Sequence, residues 1–349
     1  MPMPPEDSFL PPPLPGRIII CLIVCYSLIM LLSVLFNMVV IVVIAGSRGK
    51  RSVTDMFILS LAVSDLMVST INMPFQLYYY VVNVWNIGVL LCKLSKYLQA
   101  VTIVSTVMTL TAIAIDRFVA ICNPLGARKF HTRRSAMYAL LAVWFLSLVA
   151  VSPQLVVQRL DIRIVRDETF DIAFICAEFF PRGERDDYLY SIIIFVVLYT
   201  LPLLAMFLCY GAIAHRLWIR KPIGDILANP QGYGRQINQR KKIIKMLITI
   251  VLAFTVLWFP FFTVSLYYDL QLHQNDVSYR TVMAILQLVG YSNSCINPII
   301  YTFLNNKFQR DFVVMCSSRP KRLRVCCTEQ NITIKQTLTP VVATTSVTI

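Results

Sequence analysis

The sequence predicts an all-α membrane protein, built as a bundle of seven transmembrane helices. Of its 349 residues, 57% are hydrophobic and only 14% are charged, a charged fraction about half that of soluble domains. Seven apolar runs have the length of roughly 20 residues that a helix needs to cross about 30 Å of hydrocarbon. Basic residues gather in alternate loops, as they do on the cytoplasmic side of membrane proteins.

The apolar runs define the helices in chain order. They cover approximately residues 18–45, 56–80, 93–122, 137–157, 188–217, 243–268 and 280–303. An odd number of crossings puts the two termini on opposite sides. With the N-terminus outside the cell, 23 of the 32 Lys and Arg residues fall on the inner side. This favours an extracellular N-terminus, and a basic inner surface that meets membrane lipid and cytosolic partners rather than nucleic acid.

The segment before the first helix is rich in proline. Residues 1–17 include seven prolines within the first 16 positions, which predicts an extended and solvated N-terminal arm. The arm lacks the basic start of a cleaved signal peptide, so we expect the first helix to act as an uncleaved insertion signal. The bundle then occupies residues 18–304.

Two of the ten cysteines lie on the expected outer side, Cys92 at the third helix and Cys176 in the loop after the fourth. Because that side is oxidising, we predict a disulfide between them. Cys316, Cys326 and Cys327 follow the last helix among basic residues, a setting that suits reversible palmitoylation.

One carboxylate lies deep inside a predicted span. Asp65 is about ten residues into the second helix, where a charged side chain is costly and therefore a functional candidate. Polar residues at similar depth could surround it, and they could hold Na⁺ or a proton, or they could join helices by ordinary hydrogen bonds. The candidate cluster is Asn37, Asp65, Thr106, Asn293, Ser294 and Asn297.

Five prolines lie inside or near the ends of the runs: Pro74, Pro153, Pro202, Pro260 and Pro298. A proline removes one backbone hydrogen bond and clashes with the carbonyl four residues earlier. The pattern predicts a bundle that can bend. Pro260, two residues after Trp258, predicts a sixth helix whose inner half can swing.

Together these markers resemble those of the rhodopsin-like (class A) G-protein-coupled receptors over residues 18–315. The matching features are Asn37, "LAVSD" with Asp65, Cys92, "DRF" at 116–118, Trp144, Pro202, Tyr210, "FTVLWFP" and "NPIIY". The resemblance implies a multi-pass receptor of the plasma membrane rather than an enzyme, with a heterotrimeric G-protein, receptor kinases and arrestin as partners. It also implies a short amphipathic helix over 305–316, where "NNKFQRDF" alternates basic and aromatic residues, and a cytoplasmic tail over 317–349.

In this family the acid and the base of "DRF" form a switch. The resemblance implies that Asp116 holds Arg117 at rest and that Arg117 is released when the sixth helix moves outward, consistent with the need of a membrane-boundary arginine for a partner. Arg240 stands where some members carry an acid that also clamps the arginine, so we expect a less securely locked resting state. The implied switch residues are Asp116, Arg117, Leu125, Tyr210, Phe254, Pro260 and Tyr301.

The expected outer pocket excludes two ligand classes. Gln99 stands where amine receptors carry an aspartate, and Tyr291 stands where light-sensing members carry the lysine that forms a Schiff base. The acidic loop around Glu178 would attract a cationic peptide, although a solvated charged loop is the alternative interpretation. The candidate ligand-binding residues are Gln99, Thr102, Glu178, Trp258, Phe261, Phe262, Gln287 and Tyr291.

Three stretches narrow the ligand further. "RLDIRIV", "LWIRKPIGD" and "AILQLVGYSNSCINPIIY" are similar to receptors for pyroglutamylated RFamide peptides and, less closely, for neuropeptide FF, orexin and cholecystokinin. This implies an amidated RFamide-type neuropeptide and coupling to Gq or Gi. A lipid or small non-amine ligand is the alternative. A secondary transporter would require an internal repeat and an enzyme would require a catalytic constellation, and the sequence shows neither. No metal or cofactor is expected apart from the possible Na⁺ at Asp65.

Overall fold

A computed structural model of the chain describes residues 9–46, 52–123, 132–165, 171–179, 184–219, 230–271 and 277–317. Leu125, Cys326 and Cys327 lie outside these described residues. Six helices are long and apolar enough to cross a bilayer by length and composition. Helices α1 to α4 and α6 span Gly16–Gly46, Val53–Val82, Val89–Cys122, Arg133–Val157 and Pro230–Gln271. Helix α5 is a succession of helical segments, Glu184–Ile194, Phe195–Thr200, Leu201–Ala214 and His215–Ile219.

The seventh apolar run is helical but interrupted. Helix α7 consists of two segments, Val277–Tyr291 and Asn293–Leu304, with Ser292 between them. Pro298 lies in the second segment and has no N–H to bond the carbonyl of Ser294, four residues earlier. The Asn37 side chain on α1 donates to that carbonyl instead, at 2.9 Å. A buried amide on one helix thus completes the backbone bonding that proline disrupts on another.

The other prolines are accommodated by local changes in the helices. Pro74 lies two residues after the end of a π-helical stretch at Val68–Asn72, and Pro202 lies two residues after the end of one at Phe195–Thr200. A π-helical stretch holds one extra residue in its turn. It therefore suits a position next to a proline, which has no N–H to complete the regular helical hydrogen bonds. Pro153 lies in a turn that interrupts α4, whereas Pro260 lies within α6.

The bundle is apolar on both its inside and its outside. Large side chains such as Tyr26, Met206 and Phe254 are fully buried between the helices, while Phe207 is 73% exposed and Phe303 69% exposed. Exposed apolar side chains in this number suit hydrocarbon as the surrounding solvent, because lipid and core offer the same environment.

A β-hairpin covers one end of the bundle, an element that the all-α expectation did not include. Strand β1, Gln158–Ile164, pairs antiparallel with β2, Ile172–Glu178, and Leu160 lies opposite Cys176. The predicted disulfide is confirmed: Cys176 on β2 is joined to Cys92 at the start of α3. We call this end of the bundle the hairpin end.

The described part of the N-terminal arm contacts the hairpin end, so the expectation of a solvated arm is wrong for Leu14, whereas Pro12 and Pro13 are exposed. Leu14 is only 3% exposed, and the Leu10 N–H donates to the Ile164 carbonyl of β1 at 2.8 Å. The prolines lack N–H groups but keep their carbonyls as acceptors. Asn83 donates to the Pro11 carbonyl at 2.8 Å, and Arg280 donates to that of Pro12 at 2.7 Å.

The opposite end of the bundle, the α8 end, carries a short helix, α8, at Asn306–Cys316. The Asn305 side chain caps it by accepting from the N–H groups of Lys307 and Phe308, and Phe308 is buried against the bundle. The Lys307 ammonium pairs with the Asp55 carboxylate. Asp55 also belongs to the capping box that starts α2.

Candidate functional site

An aromatic cluster lies below the hairpin end. Trp258 of α6 is its centre, and its ring centroid lies 5.6 Å from that of Phe261, 5.7 Å from that of Phe262 and 5.8 Å from that of Tyr291. Phe262 in turn lies 4.7 Å from Tyr199 of α5. The edge-to-face arrangements with Phe261 and Tyr291 are favoured by aromatic quadrupoles. The other three aromatic residues predicted for the pocket, Phe261, Phe262 and Tyr291, therefore each contact Trp258.

Polar side chains border this cluster in a chain of hydrogen bonds. The Tyr80 hydroxyl of α2 donates to the Gln287 amide oxygen at 3.0 Å, and the Gln287 nitrogen donates to the Tyr291 hydroxyl at 3.2 Å. Nearby, Thr102 accepts from Asn72 at 2.6 Å and donates to the carbonyl of Gln99 at 2.8 Å. Tyr80 and Asn72 were not predicted, because each is one of several polar residues near the end of α2 and only the fold selects its partner.

Glu178 is exposed on β2, two residues beyond the disulfide. Its carboxylate accepts from the Gln158 amide at 2.7 Å and from the Gln154 amide at 3.4 Å. Both glutamines lie where α4 gives way to β1. The disulfide and these two amides together fix the position of a negative charge at the hairpin end.

One glycine makes close packing against Trp258 possible. Gly290 precedes Tyr291 on α7, and a Cβ built at this position would lie 2.9 Å from two carbon atoms of the Trp258 ring. That separation is well inside normal van der Waals contact, so a larger residue would move the indole. The sequence offered no signal for this contact.

The cluster around Asp65 is buried between α1, α2 and α7. The Asp65 carboxylate accepts from the Asn297 amide at 3.0 Å, and Ser69 links the Asp65 carbonyl to the Ser33 hydroxyl. Asn37 joins the group through the Ser294 carbonyl. The amide oxygens of Asn37, Asn293 and Asn297 are buried without a hydrogen-bond partner. The Thr106 hydroxyl is used within α3, where it donates to the Thr102 carbonyl at 2.9 Å.

The acid and base of "DRF" lie near the α8 end of α3. The Arg117 guanidinium donates to one Asp116 carboxylate oxygen from Nε at 2.9 Å and from Nη2 at 2.5 Å. Tyr210 and Phe254 are buried in the same core, and the buried Tyr301 hydroxyl has no hydrogen-bond partner. Arg240 is exposed on α6.

A contact that the sequence did not predict joins α6 to α8. The Lys242 ammonium donates to the Asn306 side-chain oxygen. Asn306 begins α8, and the next residue, Lys307, pairs with Asp55 of α2. Helices α6, α8 and α2 are therefore connected by consecutive polar contacts at this end.

A family model described as 7 transmembrane receptor (rhodopsin family) matches residues 36–301. The chain belongs to this family. It is a multi-pass membrane receptor with the seven-helix bundle of that family, and the prediction that it is not an enzyme is confirmed by its membership.

Individual relatives of this rhodopsin-family receptor are named for peptide ligands. A QRFP-like peptide receptor of Branchiostoma floridae is 33% identical over 86% of the chain and 78% of the relative. A pyroglutamylated RF-amide peptide receptor of Rattus norvegicus is 31% identical over 89% of the chain and 75% of the relative. A RYamide receptor of Drosophila melanogaster is 31% identical over 86% of the chain and 64% of the relative.

Proposed function

We propose that this receptor binds an extracellular amidated neuropeptide of the RFamide type at its hairpin end and activates a heterotrimeric G-protein, Gq or Gi, through outward movement of α6. The observation that carries the proposal is the aromatic cluster around Trp258 with its amide-and-phenol border, Tyr80–Gln287–Tyr291. The names of the relatives supply the peptide class.

Each part of an Arg-Phe-amide terminus has a chemical counterpart in the pocket. The phenyl ring suits the aromatic cluster, because aromatic pairs gain about 0.5–1.5 kcal/mol beyond area burial. The terminal carboxamide both donates and accepts, as do the side chains of Gln99 and Gln287. The arginine suits Glu178, where the disulfide and two glutamines position the carboxylate.

The test uses cells that express the full chain and a matched pair of peptides, an amidated Arg-Phe peptide and the same peptide with a free C-terminal carboxylate. We expect the amidated form to raise inositol phosphate or lower cyclic AMP, and the free acid to be at least 10-fold weaker, because it places a charge among neutral amides. Glu178→Gln should weaken the amidated peptide by a similar factor. The proposal is lost if micromolar amidated peptide produces neither response at a chain that reaches the cell surface.

We further propose that the hairpin end is extracellular and that the α8 end is cytoplasmic. Residues 317–349 would then form a cytoplasmic tail that binds receptor kinases and arrestin. Arg117, Leu125, Tyr210, Phe254, Pro260 and Tyr301 would then act in G-protein coupling. Helix α8 would lie along the inner leaflet, since Phe312 and Val313 are exposed on it. Cys316, exposed at its end, would be the lipidated residue.

We also propose that Asp65 binds Na⁺. A hard cation prefers oxygen ligands, and this buried carboxylate has three amide oxygens without partners in its cluster, on Asn37, Asn293 and Asn297. We expect 150 mM NaCl to raise the thermal unfolding midpoint of the purified receptor relative to N-methylglucamine chloride of equal ionic strength. The rise should disappear in Asp65→Asn. Equal midpoints in the two salts for the unmodified chain would contradict the proposal.

A further inference from the structure

The hairpin end carries two cations whose role none of the contacts above explains. Lys96 of α3 and Arg280 of α7 lie on the same aromatic ring: the Lys96 ammonium is 5.2 Å from the Tyr79 ring centroid, and the Arg280 guanidinium carbon is 5.9 Å from it. Among the described residues, neither has a carboxylate within 4.0 Å. The Lys96 ammonium donates to the neutral Gln76 amide oxygen at 3.3 Å, and the Glu178 carboxylate acts on it electrostatically from a longer distance.

Arg280 is the more unusual of the two because it is buried. Its exposed fraction is 5%, and its one hydrogen bond to a described residue runs from Nη1 to the Pro12 carbonyl. Its Nε is buried without any partner. A buried charge of this kind is costly unless it is paired. The Nε and Nη2 edge of a guanidinium matches a carboxylate in two parallel hydrogen bonds.

A small cleft lies beside Lys96. Its lining includes Gln76, Tyr79, Lys96 and Gln99. Gln99 is also one of the proposed contacts for the peptide amide, so the cleft and the proposed pocket share this residue. An occupant that extends from Gln99 to Lys96, one turn away on α3, would meet the Tyr79 ring, which Arg280 also contacts.

We propose that Lys96 and Arg280 form a second recognition site for the peptide, which binds an aspartate or glutamate side chain upstream of the amidated end; this inference rests on the proposed peptide function. The carboxylate accepts from Arg280 Nε and Nη2, and Lys96, whose ammonium lies over the same Tyr79 ring, adds a second positive charge. Residues 9–14 of the arm cover Arg280 and must shift to admit it. The Pro12 carbonyl, a neutral acceptor, is the weaker partner for the guanidinium.

The helix geometry gives the position of that acid in the peptide. Arg280 precedes Gln287 by two helical turns of α7, a rise of about 10 Å. An extended peptide rises about 3.3 Å per residue, so the acid lies roughly three or four residues upstream of the residue that contacts Gln287.

The first experiment compares two amidated Arg-Phe peptides that differ only by Glu or Gln four residues before the C-terminal residue. Binding is measured by competition on the full-length receptor in lipid nanodiscs. We expect the Glu peptide to bind about 10-fold more tightly, and this ratio of affinities to fall close to one in Arg280→Gln and in Lys96→Gln.

Three variants serve as controls. Arg280→Lys keeps the positive charge and should keep part of the ratio, which would show that the loss in Arg280→Gln comes from the charge and not from a misfolded receptor. Arg17→Gln, which changes an exposed arginine in the first turn of α1, and Lys93→Gln, one turn from Lys96, are the matched controls and should keep the full ratio.

A second experiment separates this site from the peptide proposal. The thermal unfolding midpoint of the receptor is measured with N-acetylglutamate or with N-acetylglutamine at equal ionic strength. We expect only the acid to raise the midpoint, by about 2 °C at concentrations well above its Kd, and we expect no rise in Arg280→Gln. If amidated peptides fail to bind but this rise appears, the ligand class is wrong and the acid site stands. Equal affinity of the two peptides for the unmodified receptor, or an equal rise in Arg280→Gln, would overturn the acid site.

Discussion

Single residues in this receptor are explained by the helices that they face. Asn37 donates to the Ser294 carbonyl that Pro298 leaves without its helical N–H. Trp144 of α4 donates to the Ser60 hydroxyl of α2 at 3.2 Å. Each of these buried donors meets an acceptor on another helix, as the cost of an unpaired polar group in an apolar environment requires.

Gly290 gives the sharpest residue-level prediction. Gly290→Ala would place a methyl group 2.9 Å from the Trp258 ring, and overpacking of this kind costs about 1–3 kcal/mol. We expect a lower thermal unfolding midpoint and a shifted Trp258 fluorescence maximum in the purified variant.

Gly211 provides the matched control for this experiment. It lies within the Leu201–Ala214 segment of α5, and a Cβ there would have no atom within 4 Å. Gly211→Ala should leave the midpoint unchanged or raise it slightly, because alanine has less backbone freedom to lose in the unfolded chain. If Gly290→Ala behaved like Gly211→Ala, the close packing against Trp258 would be disproved.

At the scale of elements, the contacts of α8 connect the helices that are expected to separate. Lys242 of α6 donates to Asn306, and Lys307 pairs with Asp55 of α2. In some family members an acid on α6 pairs with the arginine that corresponds to Arg117 of α3. Arg240 stands at that position here and has no carboxylate, so this pairing cannot form. The Lys242–Asn306 contact therefore stands as an alternative restraint on the α8 end of α6.

Removing this restraint should increase signalling without ligand. We expect Lys242→Ala and Asn306→Ala each to raise basal inositol phosphate or lower basal cyclic AMP by about two- to fivefold, consistent with about 0.5–1 kcal/mol for one polar contact. The double variant should add little to either single variant, since both remove the same contact.

Two variants of α6 help to interpret that result. Lys245→Ala removes an exposed lysine three residues from Lys242 and should leave basal signalling unchanged. Arg240→Glu supplies an acid for Arg117 and should lower basal signalling. Unchanged basal signalling in Arg240→Glu would count against the expectation of a weakly locked resting state.

For the whole molecule, hydropathy located the helices because every crossing must be apolar along its length. The predicted runs for α1, α2 and α4 lie within a few residues of the observed helices. Helix α6 begins at Pro230 rather than near residue 243, because the polar turns that precede the membrane give no hydropathy signal. The hairpin was missed although "QRLDIRI" alternates, since the short strands β1 and β2 are specified mainly by each other and by Cys176.

The candidate site was predictable to the extent that residue type limits chemistry. The aromatic residues of α6 and α7 and the amides of α1 and α7 around Asp65 were predicted from residue type and from depth within each separate helix. Lys96, Arg280, Tyr80 and Lys242 were missed because their partners lie on other helices or on the arm. No pattern within a single helix encodes such a contact.

The disulfide gives a prediction at the scale of the whole molecule, because it closes a sequence separation of 84 residues. For a free chain this corresponds to about 4–5 kcal/mol, an upper limit here because the bilayer already restricts the unfolded chain. We expect Cys92→Ser, Cys176→Ser and the double variant to lose peptide affinity equally, since the hairpin that carries Glu178 loses its tether to α3. Radioligand binding at matched surface expression measures this affinity.

The control is Cys122→Ser, at the other end of α3, which should keep full peptide affinity. A double variant that binds markedly more weakly than either single variant would contradict the pairing of Cys92 with Cys176.

The break at Ser292 affects how the last crossing spans the bilayer. Segments of 15 and 12 residues rise about 22 and 18 Å as helices, so neither alone traverses a hydrocarbon layer of about 30 Å. The two segments must therefore cross the bilayer as one unit, which the Ser292 N–H supports by donating to the Leu288 carbonyl at 3.1 Å. We expect this last crossing to be held in the membrane mainly by the earlier helices, because Asn37 of α1 and Asp65 of α2 supply partners for its polar groups.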